Sequence, residues 1–293
     1  MEEYSSAYRD RHMLDKGTLY VAVFLEDGSG EWRALDIDDP AFQAAADAAG
    51  VSFESQADVL INTRLAADVV GATKMDRPED VEPNLRNGRI YVACTNNTSR
   101  TSAQVDEANP RAANKDGHVV EMVPTGGDHT ADTFGWNLFL ICGDEASAGR
   151  YFGGWEGPVS PISCPDNVAF DSAGNLWVST DGQPGAINLD DALFKVPVEG
   201  PERGHVQQFL AVPAGAETCG PVIRDREDSV FVAVQHPGEG GATAELPPIT
   251  MSTPTKIKSR MIGVSHHFFL SLRKLNKSLT KSIIVSRSVC VSI

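Results

Sequence analysis

The chain has 293 residues, 25 of them basic and 40 acidic, for a net charge of −15. Residues 251–293 carry eight of the basic side chains and no Asp or Glu, which leaves 1–250 at −23. A body that acidic repels nucleic acid, and no stretch approaches the roughly eighteen apolar residues that a membrane-crossing helix needs. The length permits one large or two ordinary domains. Of the cysteines, Cys94 and Cys142 lie in apolar runs and read as small buried hydrophobes. Cys164 and Cys219 flank acidic positions, and sequence leaves a disulfide between them open. With Cys290 included there is no CxxC or Cys/His spacing, so no structural zinc is expected.

The opening Met1-Glu2-Glu3-Tyr4 lacks the basic start and apolar core of a signal peptide, so none is expected in this chain. Residues 1–16 are polar and read as a loop or the remnant of an interrupted strand. Gly17 to Leu35 predict a hairpin, Leu19–Phe24 and Trp32–Leu35, turning at Glu26-Asp27-Gly28-Ser29-Gly30. The Ala-rich run Phe42–Ala49 predicts a short helix. Phe53 to Val70 predict a helical insertion, because Leu60, Leu65 and Val69 recur at near-helical spacing. Strands are expected at Ile90–Cys94, Val119–Val123 and Leu138–Cys142. After the Gly/Pro-rich connection Tyr151–Pro161, further strands are expected around Ala169-Phe170, at Leu193–Val198 and at Val206–Val212.

Composition shifts near Gly240. Beyond Pro247 the chain is rich in Ser, Lys and Ile, with little turn chemistry. This divides it into a body, 1–246, and a basic divergent tail, 247–293, read as disordered or out-of-frame sequence. A basic amphipathic segment of this kind could alternatively touch a membrane surface or a calmodulin-like partner.

One short strand pattern recurs four times after a turn: small or polar, aliphatic, aromatic, Val, small. The copies are Thr18-Leu19-Tyr20-Val21-Ala22, Arg89-Ile90-Tyr91-Val92-Ala93, Asn175-Leu176-Trp177-Val178-Ser179 and Ser229-Val230-Phe231-Val232-Ala233. Their aromatics stand 71, 86 and 54 residues apart, about one supersecondary unit per copy. Turn-led strands of this composition fit an all-β fold, a β-propeller better than a sandwich, with the helical insertion as an addition. Acids precede three copies at similar offsets: Glu79 by 12 residues, Asp166 by 11 and Glu217 by 14. If the copies are equivalent blade strands, these carboxylates gather at one end of the central channel. Gathered carboxylates repel unless protonated or neutralised, and an oxygen-rich cluster suits hard ions such as calcium, magnesium or ferric iron. The alternative is that each acid holds a local turn.

Several segments together resemble the PhoX family of alkaline phosphatases. They are Gly17-Thr18-Leu19-Tyr20-Val21-Ala22, Arg77-Pro78-Glu79-Asp80, Asn109-Pro110-Arg111 with Gly117-His118, Asp166-Asn167 with Gly174-Asn175-Leu176-Trp177, and Gln235-His236-Pro237-Gly238-Glu239. Each alone is weak, and Gly-Asn-Leu-Trp occurs in lactonases too; the order in which they occur is what is specific. The resemblance implies a six-bladed propeller with iron and calcium at one end, hydrolysis of phosphomonoesters, and twin-arginine export to the periplasm or medium. It implies metal-ligating acids at Glu79 and Asp166 and a phosphate-facing cation at Arg77, with Glu217 matching less closely. His118, His236 and Glu239 fall in family-typical segments without an assigned role. The N-terminal half of the family pattern, with its Cys/Trp motif and iron-ligating cysteine, has no counterpart here. The expectation is therefore a partial propeller with an incomplete iron–calcium site, inactive as this fragment. Rival readings are a calcium-dependent lactonase-type propeller and a non-catalytic propeller fragment. A phosphate-selective Arg77 counts against the lactonase.

Overall fold

Two units divide the chain, residues 1–74 with 128–135 and residues 75–127 with 136–293. The computed structural model describes residues 17–237 and the strands His267–Leu275 and Thr280–Ser286. Residues 1–16, Glu239 and Cys290 lie outside the described residues.

In the first unit β1 (Tyr20–Phe24) and β2 (Ser29–Ala34) form the expected hairpin, with Tyr20 opposite Ala34 and Phe24 opposite Gly30. Asp27 closes its turn by accepting both the backbone N–H and the hydroxyl of Ser29. Helix α1 (Pro40–Ala49) is delimited by its own residues. Asp39 caps it by accepting the Ala41 N–H, Pro40 opens its first turn, and Gly50 ends it in the left-handed conformation at φ 67°. The insertion is two short helices, α2 (Gln56–Ile61) and α3 (Thr63–Val69), separated at Asn62, which folds its side chain back onto Asp58. Leu60 and Leu65, whose spacing suggested one helical face, are exposed. Val59 and Ala66 instead join Leu35, Phe42 and Val70 in the core of this unit.

The second unit is built of antiparallel sheets. The first contains β3 (Pro78–Pro83), β4 (Ile90–Cys94), β5 (His118–Pro124) and β6 (Thr133–Ile141), with the two-residue β7 (Tyr151–Phe152) against β6. Residues 133–135 of β6 belong to the first unit, where they pair with β2. The second sheet is β8 (Pro165–Phe170), β9 (Leu176–Thr180), β10 (Ala192–Val196) and β11 (Gln207–Ala211), with the short helix α4 (Gln183–Ile187) between β9 and β10. The third is β12 (Glu217–Arg224), β13 (Ser229–Gln235), β14 (His267–Leu275) and β15 (Thr280–Ser286), so one stretch of the basic tail pairs onto β13 and a second pairs onto the first. Each sheet starts from an inner strand, and these are neighbours in order, β3 beside β8 and β8 beside β12. The fold is all-β, a partial β-propeller with a short helical insertion.

Three of the four repeat strands hold equivalent places. β4, β9 and β13 each pair directly with an inner strand. The first copy does not: β1 is an edge strand paired to β2 in the other unit. The inner strands themselves are the least strand-like segments. β3 reads Pro-Glu-Asp-Val-Glu-Pro, and β8 opens on Pro165. Proline is tolerated there because an inner strand is a sheet edge with N–H groups that need no ladder partner.

Tyr91 and Phe139 meet edge to face at 5.6 Å, and Phe170 lies 5.3 Å from Tyr91 on another side, inside a core that also holds Ile162, Leu176 and Phe194. Glu121, opposite Tyr91 across β4 and β5, is buried among them. Its carboxylate accepts from Arg203 at 3.0 and 2.8 Å, Tyr91 Oη at 2.6 Å, Arg89 at 3.1 Å and Asn137 at 2.9 Å. Arg203 also lies over the Phe139 ring at 4.6 Å. Burial pushes the Glu121 pKa up, but Arg203, Tyr91 and Asn137 outweigh it and bring it from 4.5 to about 2. Because the folded value is the lower one, this network stabilises above the ordinary glutamate range and is lost as pH falls from 4.5 toward 2. Glu121→Ala leaves the part-buried Arg203 without its counter-charge and the buried Tyr91 hydroxyl without its acceptor. Urea unfolding at pH 7 should show a loss of about 3 kcal/mol that shrinks toward pH 3.

Candidate functional site at the start of the inner strands

Every inner strand carries one extra residue near its start. On β3 the pairing runs from Pro78 opposite Cys94 to Asp80 opposite Ala93, so Glu79 is the inserted residue. On β8 it jumps from Pro165 opposite Thr180 to Val168 opposite Val178, which places Asp166 and Asn167 against one partner. On β12 it jumps from Cys219 opposite Ala233 to Val222 opposite Phe231. Bulges of this kind re-aim side chains and often flank functional sites. Here they share the work between successive residues. Asp80 accepts the Val168 N–H at 2.9 Å and Asn167 accepts the Gly220 N–H at 2.7 Å, each tying its inner strand to the next one. Glu79 and Asp166, one residue earlier in each bulge, are left for other uses.

The residue before each proline is unusual. Arg77 (φ 50°) and Cys164 (φ 51°) are both left-handed, a conformation that side-chain-bearing residues adopt at a cost. Both carbonyls accept from equivalent donors beyond the repeat strand, Arg77 from the Thr95 N–H and Cys164 from the Asp181 N–H. Buried Asp76 fixes the chain just before Arg77, held by Arg100 and by Asn114 Nδ2 at 3.0 Å. Glu217 pairs opposite Gln235, which places it level with Arg77 and Cys164 and not with Glu79 and Asp166. The third bulge lies one ladder step further along its strand. The longer offset of 14 residues is that of Arg77 before Tyr91, and it reflects the place of Glu217 on the strand.

The site residues nevertheless share one electrostatic field. Asp166 is half-buried, and its pKa rises from 3.8 to about 7, first through burial and then through repulsion from Asp181, Glu79, Asp80 and Glu217. Burial also raises Asp181, against the pull of Arg77 and His236. Arg77 contacts Glu79 through Nη2 at 3.2 Å and donates from Nη1 to Asn96 Oδ1 at 3.0 Å; its side chain is 62% exposed. Asp181 and Asn96 escape notice in sequence because each is a single polar residue following a repeat strand, while His236 falls in a segment the resemblance marked without a role. Among the described residues, no three His, Cys, Asp or Glu side chains stand close enough together to hold one metal ion.

Neither Cys164 nor Cys219 is in a disulfide. Burial pushes the Cys164 thiol up, and Gln235 donates to the Cys219 sulfur at 2.9 Å. His118 is fully buried, with Nδ1 3.3 Å from Asn114 Nδ2, and burial lowers its pKa to about 4. It is a neutral core residue of the second unit.

The family model described as alkaline phosphatase PhoX matches residues 2–238. No curated protein matches the chain. Among solved structures, Pseudomonas fluorescens PhoX in complex with vanadate, a transition state analogue, is 33% identical with a TM-score of 0.70. That match covers 84% of this chain and 45% of the Pseudomonas chain, so the present chain spans less than half of that relative's length.

The raised Asp166 has a consequence for stability. An acid that resists ionising when folded weakens the fold as pH rises from 3.8 toward 7. In metal-free buffer Asp166→Asn should therefore raise the melting temperature at pH 8 and change it little at pH 4. An equal shift at both values would show that Asp166 is not under this strain.

Proposed function

The chain belongs to the alkaline phosphatase PhoX family, and from that membership we propose that the acidic start of its inner strands is part of a phosphomonoester hydrolase site. Arg77 is the proposed phosphate-facing cation, and Glu79, Asp166 and Glu217 are the proposed metal ligands. The observation that carries the reading is the state of Asp166, raised to about 7 by burial and by four neighbouring acids. Arg77 alone cannot offset that much negative charge. All the donors are carboxylate oxygens, the chemistry that hard ions such as calcium and iron prefer. Bound there, such ions would screen a phosphate group and lower the pKa of an attacking oxygen.

The protein's own part is positioning and charge. Arg77 is exposed enough to leave Glu79 and pair with two phosphate oxygens, where its fixed charge favours the charge that builds in the transition state. Its anchored backbone keeps the swing short. Phosphomonoesters are the proposed substrates, and the periplasm or medium is the proposed place of action by family.

For this chain alone we infer weak calcium binding and negligible turnover. A shared cation shell needs most of its ligands at once, and no three candidates converge among the described residues. Aryl phosphate hydrolysis, measured with metal analysis beside Pseudomonas PhoX, should be near background and should not fall further in Glu79→Ala. A rate of about 1 per second or more would overturn this inference.

A further inference from the structure

We propose that Asn96 is a positioning residue that sets the Arg77 guanidinium for oxyanion recognition, a role that rests on the phosphate-facing reading of Arg77. Asn96 follows the end of β4 by two residues. The residue before it, Thr95, is buried and donates its N–H to the Arg77 carbonyl at 3.1 Å, so the two segments are locked together at the backbone. Both ends of the Asn96 carboxamide are engaged. Oδ1 accepts from Arg77 Nη1 at 3.0 Å, and Nδ2 points to Cys164 Sγ at 3.7 Å. Cys164 is the left-handed counterpart of Arg77 in the next sheet and stands two residues before Asp166. Asn96 therefore links the starts of two inner strands through the side chain that would meet the anion.

The chemistry of the two Arg77 partners differs. Glu79 holds Nη2 at 3.2 Å with a charge that an arriving anion must displace. Asn96 holds Nη1 with a neutral oxygen, which orients the guanidinium without cancelling its charge. Once an anion displaces Glu79 from Nη2, Nη2 and Nε form a two-pronged donor. Without Asn96, the acidic neighbours Glu79 and Asp181, the latter already under the influence of Arg77, would draw the guanidinium away from a phosphate.

Two measurements on the full chain test this. The first is the mobility of the Arg77 side-chain Nε–H signal by NMR relaxation, which needs no ligand. The signal should be ordered in the unsubstituted chain, mobile in Asn96→Ala and still ordered in Asn96→Asp, which keeps the acceptor. The second is titration with inorganic phosphate in calcium below the solubility limit of its phosphate. Asn96→Ala should bind about tenfold more weakly, with no further loss when added to Arg77→Ala, since residues acting through one another are non-additive. Asn96→Asp should also weaken phosphate binding despite the ordered arginine, because it supplies the negative charge that Asn96 avoids. Arg77 equally ordered in Asn96→Ala, or an undiminished effect of Asn96→Ala in the Arg77→Ala background, overturns the proposal. If the unsubstituted chain binds no phosphate, the phosphate-facing reading of Arg77 falls for this chain and takes the recognition role with it, whatever the relaxation data show.

Discussion

The extra residue in each inner strand is the constraint from which the site follows. A regular ladder would send Glu79 and Asp80, or Asp166 and Asn167, to opposite faces in strict alternation. The bulge breaks that alternation where one residue must reach the neighbouring strand and the residue before it must be spared. Asp80 and Asn167 do the first job, through the Val168 and Gly220 amides. Glu79 and Asp166 are thereby released. The same device both joins consecutive sheets and concentrates negative charge, so the fold cannot keep one without the other.

Two acids show how differently the fold treats buried charge. Glu121 meets Arg203, Arg89, Tyr91 and Asn137 and sits at about 2, a satisfied structural anion. Asp166 meets other acids and sits at about 7. Folding stabilises the ionised form of the first and opposes that of the second. Acids raised in the second way cluster at functional sites, although structural charge networks also produce them. Asp171, at the other end of β8, belongs with Glu121. It accepts from Asn175 and Trp177 and pairs with Lys195 at 3.3 Å, and its pKa is lowered despite burial.

What sequence could show follows from this division. The strands β4, β9 and β13 are legible because each alternates an aliphatic, an aromatic and Val against a buried face, and the hairpin, α1 and β5 carry ordinary turn and capping signals. The inner strands β3 and β12 are not. β3 is an edge rich in acids and proline, β12 is interrupted by Gly220-Pro221, and both are stabilised by side-chain ties between sheets that no local pattern encodes. The offsets of Glu79 and Asp166 are legible for the same reason that the repeat strands are. The place of Glu217 is not, because an acid at the level of Arg77 differs from one in the bulge by only two or three residues of offset, which composition does not mark. Asp181, Asn96 and His236 join the site only through the return of the chain past the repeat strand, which is a property of pairing.

The two ends of the inner strands therefore carry opposite loads. At the far end, β3 is tied to the second sheet by Asn84 donating to the Gly174 carbonyl at 2.9 Å, and Ser172 is bonded to Asp225 on the third. Gly174 is left-handed there as a glycine, so that turn carries little strain. At the near end the left-handed positions are Arg77, Cys164 and His236, each with a side chain and each roughly 1 kcal/mol less comfortable than a glycine would be. Glycine would relieve the backbone but delete the guanidinium, the thiol and the imidazole that the geometry presents. The far-end turn of the third sheet also holds a left-handed residue with a side chain, Asp228 (φ 50°), so strain alone does not separate the ends. What separates them is charge: the near end sets its strained positions beside the under-compensated Asp166.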